Sequence, residues 1–326
     1  MSERALEVEG LVVTFPGETG RTPVVDHLDL VLDAGETLAL VGESGCGKSM
    51  TALSLLRLVP KPGRIEEGRI RIEGQDVLSL PIADLRSLRG RRAAMIFQEP
   101  MTSLNPVHTV GAQVVEAIRL HERVSAGEAR RRAGELFARV GIPDPGARLD
   151  AYPHQLSGGM AQRVMVAMAI ACNPRLLIAD EPTTALDVTI QAQILDLLRD
   201  LRRDSGMALL LITHDLGIVN EVADRVAVMY AGQLVEQGSR EAVLGKPRHP
   251  YTQGLLRSIP ARAARGARLT EIRGSVPSAS AWPTGCRFHP RCPIAFEPCP
   301  RIDPGWTELG GGQRARCHAI AREFSA

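Results

Sequence analysis

The sequence predicts an α/β fold built around a parallel β-sheet. Residues 38–41 and 176–179 are short apolar runs of the kind found in buried parallel strands. Between residues 176 and 235, strand-like runs alternate with helical patterns. This alternation favours parallel strands joined by crossover helices.

A glycine-rich loop follows the first apolar run. Gly42-Glu43-Ser44-Gly45-Cys46-Gly47-Lys48-Ser49 matches Gly-x-x-x-x-Gly-Lys-Ser/Thr, and a helical pattern follows it. The glycines allow backbone N–H groups to converge on phosphate oxygens. Lys48 is then expected to reach the β and γ phosphates, and the Ser49 hydroxyl to ligate Mg²⁺. The predicted nucleotide-binding residues here are Gly42, Ser44, Gly45, Cys46, Gly47, Lys48, Ser49 and Met50.

Two later motifs exclude a plain strand-to-helix turn at this loop. Leu156-Ser157-Gly158-Gly159-Met160-Ala161-Gln162 comes first, and Asp180-Glu181 ends the second apolar run. In this order the three motifs resemble those of the ATP-binding cassette ATPases. The resemblance implies a P-loop NTPase (RecA-like) core that binds ATP. It also implies that Ser157, Gly158, Gly159 and Gln162 contact phosphates held by a partner cassette.

The two adjacent acids have distinct expected roles. Asp180 fits a residue that holds Mg²⁺ through water, and Glu181 is placed to polarise the water that attacks the γ phosphate. A pair of carboxylates at a strand end can also form a solvated turn. The loop and the signature favour the catalytic interpretation.

The resemblance implies roles for four further positions. Gln98 matches the glutamine loop that touches Mg²⁺ and links the site to a membrane partner. Ala185-Leu186-Asp187 matches the loop that crosses the cassette dimer, and His214 matches the histidine that contacts the γ phosphate and orients water. Phe15 stands where the family places an aromatic that stacks on adenine, although a strand Phe also suits core packing.

Length, composition and charge argue against a secreted, a membrane-spanning or a nucleic-acid-binding protein. The 326 residues, 44% of them hydrophobic, suffice for two domains. The charged first ten residues do not resemble a secretory signal. The longest apolar run, residues 164–172, is shorter than the roughly 18 residues of a membrane span, so transport would require separate membrane subunits. A net charge of +2 gives no reason to expect a nucleic acid partner.

The motifs predict an inserted-domain organisation. Residues 1–100 and 169–245 would form the nucleotide-binding core, which includes an antiparallel β subdomain. Residues 101–168 would form an α-helical subdomain with amphipathic helices at 113–123 and 128–140. Residues 246–326 would form a small irregular C-terminal module. From residue 240 onward there are 14 basic and 6 acidic residues, which sets this tail apart from the acidic core.

Four of the six cysteines lie in this tail: Cys286, Cys292, Cys299 and Cys317. Pro and Gly surround these cysteines, so the tail is expected to lack a hydrophobic core of its own. It would then need a stabilising cross-link, such as a disulfide or a bound metal. Disulfides are disfavoured in a cytosolic chain. Four thiolates suit a 4Fe-4S cluster or zinc, although the close Cys pairs usual in zinc sites do not occur. The spacing favours the cluster, with Arg287, Arg291, Arg314 and Arg316 offsetting its charge; zinc and free thiols stay open.

Three segments indicate a particular subfamily of the ATP-binding cassette ATPases. Residues 98–106 (QEPMTSLNP), 152–160 (YPHQLSGGM) and 249–252 (HPYT) look like those of the D-type ATPase subunits of bacterial dipeptide and oligopeptide permeases. Met160 stands where many cassettes have Gln. The relatives carry a cysteine-bearing extension associated with a 4Fe-4S cluster, which would make the tail a metal-stapled module.

The resemblance implies an importer motor at the cytoplasmic face of the bacterial inner membrane. The chain would pair with a second cassette, an F-type paralogue, beneath two transmembrane permease subunits that receive peptide from a binding protein. Two alternatives remain: a nickel importer ATPase, and a soluble cassette ATPase of DNA repair or translation. The four-cysteine tail favours the peptide branch over nickel, and the chain lacks the second cassette or coiled coil of the soluble class.

Overall fold

The computed structural model describes residues 3–18, 20–184, 186–259 and 271–324. The chain divides into two compact units. The helical unit comprises residues 1–6, 32–36 and 71–210, and the phosphate-loop unit comprises residues 7–31, 37–70 and 211–326.

The helices and strands alternate along much of the chain. The strands are β1 (Arg4–Gly17), β2 (Gly20–Asp33), β3 (Thr37–Val41), β4 (Arg64–Ile72), β5 (Gln75–Asp76), β6 (Ala93–Ile96), β7 (Leu176–Asp180), β8 (Ala208–Thr213), β9 (Arg225–Tyr230), β10 (Gln233–Ser239), β11 (Trp306–Glu308) and β12 (Arg314–Arg316). The α-helices are α1 (Lys48–Leu55), α2 (Ile82–Leu88), α3 (Pro100–Ser103), α4 (Val110–His121), α5 (Ala126–Arg139), α6 (Pro145–Arg148), α7 (Gly158–Ile170), α8 (Val188–Ser205), α9 (Leu216–Val222), α10 (Arg240–Gly245), α11 (Pro250–Arg257) and α12 (His318–Phe324).

In the helical unit, β6 and β7 pair in parallel, with Ala93 opposite Leu176 and Ile96 opposite Ala179. Every residue of β7 is buried, because both faces of a parallel strand are covered. The buried parallel strand predicted from residues 176–179 is therefore confirmed.

Two helices of this unit begin two or three residues before the predicted bounds, at 110 instead of 113 and at 126 instead of 128. Thr109 caps α4 by accepting a hydrogen bond from the N–H of Ala112, and Ser125 caps α5 by accepting one from the N–H of Glu128. A side-chain oxygen at this position satisfies an N–H group that the first turn leaves without an intrahelical partner. The caps, rather than the first apolar residue, therefore determine where each helix begins.

In the phosphate-loop unit, β9 pairs in parallel with β3 and antiparallel with β10. The tail then adds β12 and β11 beyond β10, with Glu236 of β10 opposite Ala315 of β12. The sheet of this unit is thus mixed, in the order β11-β12-β10-β9-β3. A second sheet contains the strands β2, β1 and β4 as neighbours in that order.

The tail differs from the irregular, core-free module that its composition predicts. Tyr251 and Phe288 are buried in one hydrophobic cluster with Ala39, Val41 and Tyr230 of the sheet. The three aromatic rings are mutually in contact, with centroids 4.7 to 5.4 Å apart. A tail with few apolar residues cannot bury them alone, so it packs them against an existing sheet.

A buried carboxylate joins the tail to the sheet. The side chain of Glu236 accepts hydrogen bonds from the N–H groups of Arg248 (2.8 Å) and His249 (3.0 Å) and from Nε2 of Gln313 (2.9 Å). Burial raises the pKa of Glu236, and these donors act against that rise. These hydrogen bonds hold the residues just before α11 and the residue just before β12 against Glu236 of β10. Within the described ranges, no helix is long and apolar enough to cross a membrane.

Candidate active site

The phosphate loop leaves β3 at a point with no room for a side chain. A Cβ on Gly42 would lie 2.2 Å from the carbonyl oxygen of Met229 and 2.8 Å from Sγ of Cys46. A Cβ on Gly47 would lie 2.7 Å from the carbonyl oxygen of Val24, and φ is +110° there. Only glycine fits such contacts, so these two glycines define the path of the loop.

Lys48 is the first residue of α1 and is buried, with 5% of its surface exposed. Its Nζ donates hydrogen bonds to the carbonyl oxygens of Gly42 (2.8 Å) and Glu43 (3.1 Å). The helix has no side-chain cap and no acidic residue in its first turn. A buried ammonium and a helix N-terminus thus meet at the loop, as an anion-binding site requires.

Two tail residues that sequence reasoning did not assign to this site contact Glu43. The Glu43 N–H donates a hydrogen bond to Oη of Tyr251 at 2.9 Å. The guanidinium of Arg291 donates to both carboxylate oxygens of Glu43, at 2.7 and 2.9 Å. The sequence gives only weak signals for these two residues. Tyr251 lies in residues 249–252, one of the segments that resemble the permease ATPases, and the charge of Arg291 is expected to offset that of a cluster.

In the helical unit, the structure brings Gln98 and Glu181 together. Nε2 of Gln98 donates to Oε2 of Glu181 at 3.2 Å, and Oγ1 of Thr184 donates to the same oxygen at 2.9 Å. Glu181 has φ of +46°, a left-handed conformation that a non-glycine residue adopts seldom. Asp180, at the end of β7, is 4% exposed. Thr184 had no signal in the sequence.

The signature residues lie beside the start of α8. Ser157 is exposed and caps α7 by accepting a hydrogen bond from the N–H of Met160. A Cβ on Gly159 would lie 2.8 Å from Cγ2 of Ile190, and Asp187 caps α8 through the N–H of Ile190. The exposed face of the signature therefore has a fixed position relative to Asp187. Ala185, predicted for the same loop, lies outside the described residues.

Gln162 has a different environment from the rest of the signature. It is 1% exposed, and its Nε2 has no hydrogen-bond partner in the described structure. Ser157 and Gly158 are exposed. Contact between Gln162 and a nucleotide thus stays a prediction.

Phe15 and His214 lie in the phosphate-loop unit. Phe15 is half-buried, and a Cβ on Gly63 would lie 2.5 Å from Cζ of its ring. His214 is exposed in the turn between β8 and α9. The next residue, Asp215, stiffens this turn because its side chain accepts a hydrogen bond from the N–H of Gly217 and its N–H donates to Oγ1 of Thr213.

Each of the four tail cysteines is a free thiol. Burial raises the pKa of Cys286 to about 12 and also raises the pKa values of Cys292 and Cys317. Every pair among these four thiols is close enough for one to raise the pKa of another. Across the described ranges, however, no group of three or more His, Cys, Asp or Glu side chains is placed to hold a metal ion.

Backbone N–H groups point at three of these sulfurs. The N–H of Phe288 bonds Cys286, that of Ile294 bonds Cys292, and those of Ala319 and Ile320 bond Cys317. Each bond lowers the pKa of its thiol, because the donor favours the thiolate form.

The arginines beside the cysteines have other partners than the sequence interpretation gave them. Arg287 pairs with Asp26 and also donates to the carbonyl oxygen of Ala231, while Arg291 pairs with Glu43. Their charges are thus matched by carboxylates of the phosphate-loop unit.

Comparison with known proteins agrees with this geometry. Residues 25–184 match the ABC transporter family, and residues 235–299 match the family "Oligopeptide/dipeptide transporter, C-terminal region". The chain is 50% identical over 313 residues to the dipeptide transport ATP-binding protein DppD of Escherichia coli, which covers 96% of both chains. It is 48% identical over 316 residues to DppD of Bacillus subtilis, covering 97% of this chain and 94% of the relative.

Solved structures share the cassette fold. A dimeric post-hydrolysis structure of the ATP-binding cassette MJ0796, bound to ADP and Pi, superposes with a TM-score of 0.64 at 26% identity. The match covers 72% of this chain and 98% of that one. By its glycine loop, its Asp-Glu strand end and its near full-length relatives, the chain belongs to the ATP-binding subunits of ABC transporters, in the oligopeptide/dipeptide branch, and is an ATPase.

Proposed function

We propose that this chain is the ATP-hydrolysing motor of an importer for dipeptides or oligopeptides. The observation that carries the proposal is the family match of the tail at residues 235–299, together with the near full-length identity to DppD. The motor would lie at the cytoplasmic face of the bacterial inner membrane, as a peripheral subunit. It would pair with a second cassette, an F-type paralogue, beneath two transmembrane permease subunits.

The loop residues would hold the phosphates of ATP. Lys48 would exchange its bonds to the carbonyl oxygens of Gly42 and Glu43 for bonds to the β and γ phosphates. The hydroxyl of Ser49 and the carboxylate of Asp180 are the oxygen donors that Mg²⁺ takes, and the bound ion would neutralise charge on the phosphates. Phe15, half-buried against Gly63, would supply an aromatic surface for adenine.

Glu181 would act as the general base. The hydrogen bonds from Gln98 and Thr184 go to its Oε2 and hold the carboxylate in one orientation, which the strained backbone also restricts. The carboxylate would accept a proton from the attacking water. His214 would contact the γ phosphate and orient that water, and Gln98 would add a contact to Mg²⁺.

Each ATP would lie between two cassettes. Ser157, Gly158 and Gly159 would bind the ATP held by the partner, because Ser157 and Gly158 are exposed and their position is fixed beside Asp187. The dimeric structures of MJ0796 support this arrangement. Closure of the two cassettes would drive the membrane subunits between their inward-open and outward-open states, and hydrolysis would reset them. A peptide-binding protein would deliver the peptide, which need not touch this chain.

The substrate class is tested in the assembled transporter. We expect a dipeptide or short oligopeptide, presented with its binding protein, to stimulate ATP turnover, and Ni²⁺ to have no effect. Stimulation by Ni²⁺ alone would identify a nickel importer instead. Failure to copurify with any membrane subunit would favour a soluble cassette ATPase.

Replacement of the general base should separate ATP binding from hydrolysis. Glu181→Gln should lower ATP turnover about 10²–10⁴-fold, because the amide cannot accept the proton of water, and should leave ATP trapped in the closed dimer. Turnover and retained ATP are measured in the assembled transporter. Glu135→Gln, an exposed change in the same unit, is the control and should match the wild type. Near wild-type turnover of Glu181→Gln would remove this residue from catalysis.

The composite site predicts two different defects. Lys48→Ala should weaken binding of ATP by the isolated chain, whereas Ser157→Arg should leave that binding intact and block turnover at the partner's site. Ser157→Arg also removes a helix cap, a loss of about 1 kcal/mol. Ser125→Arg, which removes the cap of α5, is therefore the matched control and should retain turnover. Equal loss of ATP binding in the Lys48 and Ser157 variants would contradict the composite site.

We further propose that Cys286, Cys292, Cys299 and Cys317 hold a 4Fe-4S cluster with a structural role. The donor chemistry supports the proposal, because four thiols lie near one another and N–H groups act on three of the sulfurs, as hydrogen bonds to cluster ligands do. In the described residues the thiols are not yet placed to hold a metal ion, so binding of the cluster would have to draw them together. A bound cluster would supply a covalent staple between residues 286 and 317. Phe288 and Cys299 are already buried in this segment.

The cluster is tested with single Cys→Ser variants of this set. Each should lose the brown chromophore, iron and sulfide of the anaerobically purified chain, and should unfold its tail more readily, while binding of ATP at Lys48 is largely kept. Cys172→Ser, at a half-buried cysteine outside the set, is the matched control and should keep all of these properties. Stoichiometric zinc, or four free thiols without metal, would overturn the proposal.

A further inference from the structure

The tail that carries the four cysteines also reaches the phosphate loop. We propose that Arg291 is a positioning residue for nucleotide binding: it neutralises Glu43 inside the loop and, together with Tyr251, fixes the loop in the conformation that accepts phosphates. The inference rests on the proposed binding of ATP at this loop, and it adds a role for a segment that the motifs of the loop do not include.

The guanidinium of Arg291 is fixed by two backbone carbonyl groups in addition to Glu43. Its Nε donates to the carbonyl oxygen of Arg273 at 2.9 Å, and Nη2 donates to that of Gly274 at 3.2 Å. The side chain is 6% exposed, against 30% for Glu43. With its position fixed by residues 273 and 274, Arg291 presents a rigid two-nitrogen fork to the carboxylate. Such a bidentate pair specifies geometry as well as charge.

Tyr251 holds the same residue of the loop by its backbone. Its ring is fully buried between Tyr230 and Phe288, and its Oη accepts the hydrogen bond from the Glu43 N–H. Because Lys48 rests on the carbonyl oxygens of Gly42 and Glu43, a shift of Glu43 would also move the ammonium that is expected to reach the phosphates. The backbone of Glu43, its carboxylate and the ammonium of Lys48 therefore depend on the position of the same residue, Glu43.

The other end of the loop has a second connection to the tail. The carbonyl oxygen of Cys46 accepts a hydrogen bond from the N–H of Gly232 at 2.9 Å. The ring of Trp282 packs on Gly232, where a Cβ would lie 2.4 Å from its Cη2, and Arg287 stacks 3.7 Å above that ring and donates to the carbonyl oxygen of Ala231. Arg287 follows Cys286 directly, and Arg291 precedes Cys292, so the cysteine segment supports both ends of the loop.

Charge gives Arg291 an effect that packing alone would not have. A loop that binds the phosphates of ATP gains from every positive group and loses from an unpaired carboxylate, because like charges repel strongly where water is scarce. Glu43 lies within that loop, and its pairing with Arg291 cancels its charge. Loss of Arg291 would leave an anion beside the phosphates and would free the loop to leave its binding conformation, and both changes weaken the apparent affinity for ATP.

The test is a set of variants of the full chain, with MgATP binding measured by titration calorimetry and turnover measured in the assembled transporter. Arg291→Met should raise the Kd and the KM for MgATP at least about tenfold and change kcat at saturating ATP less than about twofold. Glu43→Gln in the Arg291→Met background should recover most of the lost affinity, because the unpaired charge is gone. Arg301→Met, at an exposed arginine of the same segment, is the matched control and should bind as the wild type does.

The rescue by Glu43→Gln separates this role from a merely structural one, since a fold damaged by loss of Arg291 would not regain affinity from a second change. If Arg291→Met does not fold, Arg291→Lys carries the test: it keeps the charge without the fork and should raise the Kd by a smaller factor. Wild-type affinity of Arg291→Met or of Arg291→Lys, or a double variant no better than Arg291→Met, would overturn the positioning role. A wild-type chain that does not bind MgATP would overturn the proposed function itself.

Discussion

The close approach of Gly42 to the carbonyl of Met229 determines how the phosphate loop is built. Because no side chain intervenes, the loop lies directly on the end of β9, and β9 is fixed by β3 on one side and β10 on the other. The position of the loop is thus set by the sheet. Tyr230, the last residue of β9, packs on Tyr251 and Phe288, so the same strand end also brings the tail to the loop.

The sequence predicts well those features that depend on neighbouring residues. The run at 176–179 predicts a buried parallel strand because both faces of such a strand need apolar side chains, and the structure has that strand. The starts of α4 and α5 were predicted a few residues late. Thr109 and Ser125 begin the helices by capping them, so the capping residues mark these starts more closely than the predicted bounds did.

Features that join distant segments were not predictable in the same way. Arg291 and Glu43 are 248 residues apart, and Tyr251 and Glu43 are 208 apart. No period or spacing marks such pairs, and counting charge along the tail placed Arg291 beside a cluster when its partner is a carboxylate of the loop. The contact of Thr184 was not predictable for a related reason. The hydroxyl of Thr184 reaches the carboxylate of Glu181 only because of the backbone conformation of Glu181. The motif order predicts the residues of the site, and the structure adds the side chains that contact them.

The cysteine segment and the phosphate loop belong to one unit, and this has a thermodynamic consequence. Arg287 and Arg291, each adjacent to a cysteine, support the two ends of the loop, and Tyr230, Tyr251 and Phe288 pack in one hydrophobic cluster of the same unit. Whatever orders residues 286–292 therefore favours the binding conformation of the loop. Coupling free energy is reciprocal, so a nucleotide that binds this conformation must stabilise the cysteine segment by the same amount. The tail is then linked to the nucleotide site through Arg287 and Arg291, and a variant that lowers the stability of the tail but leaves it folded keeps these contacts and most of the affinity for ATP.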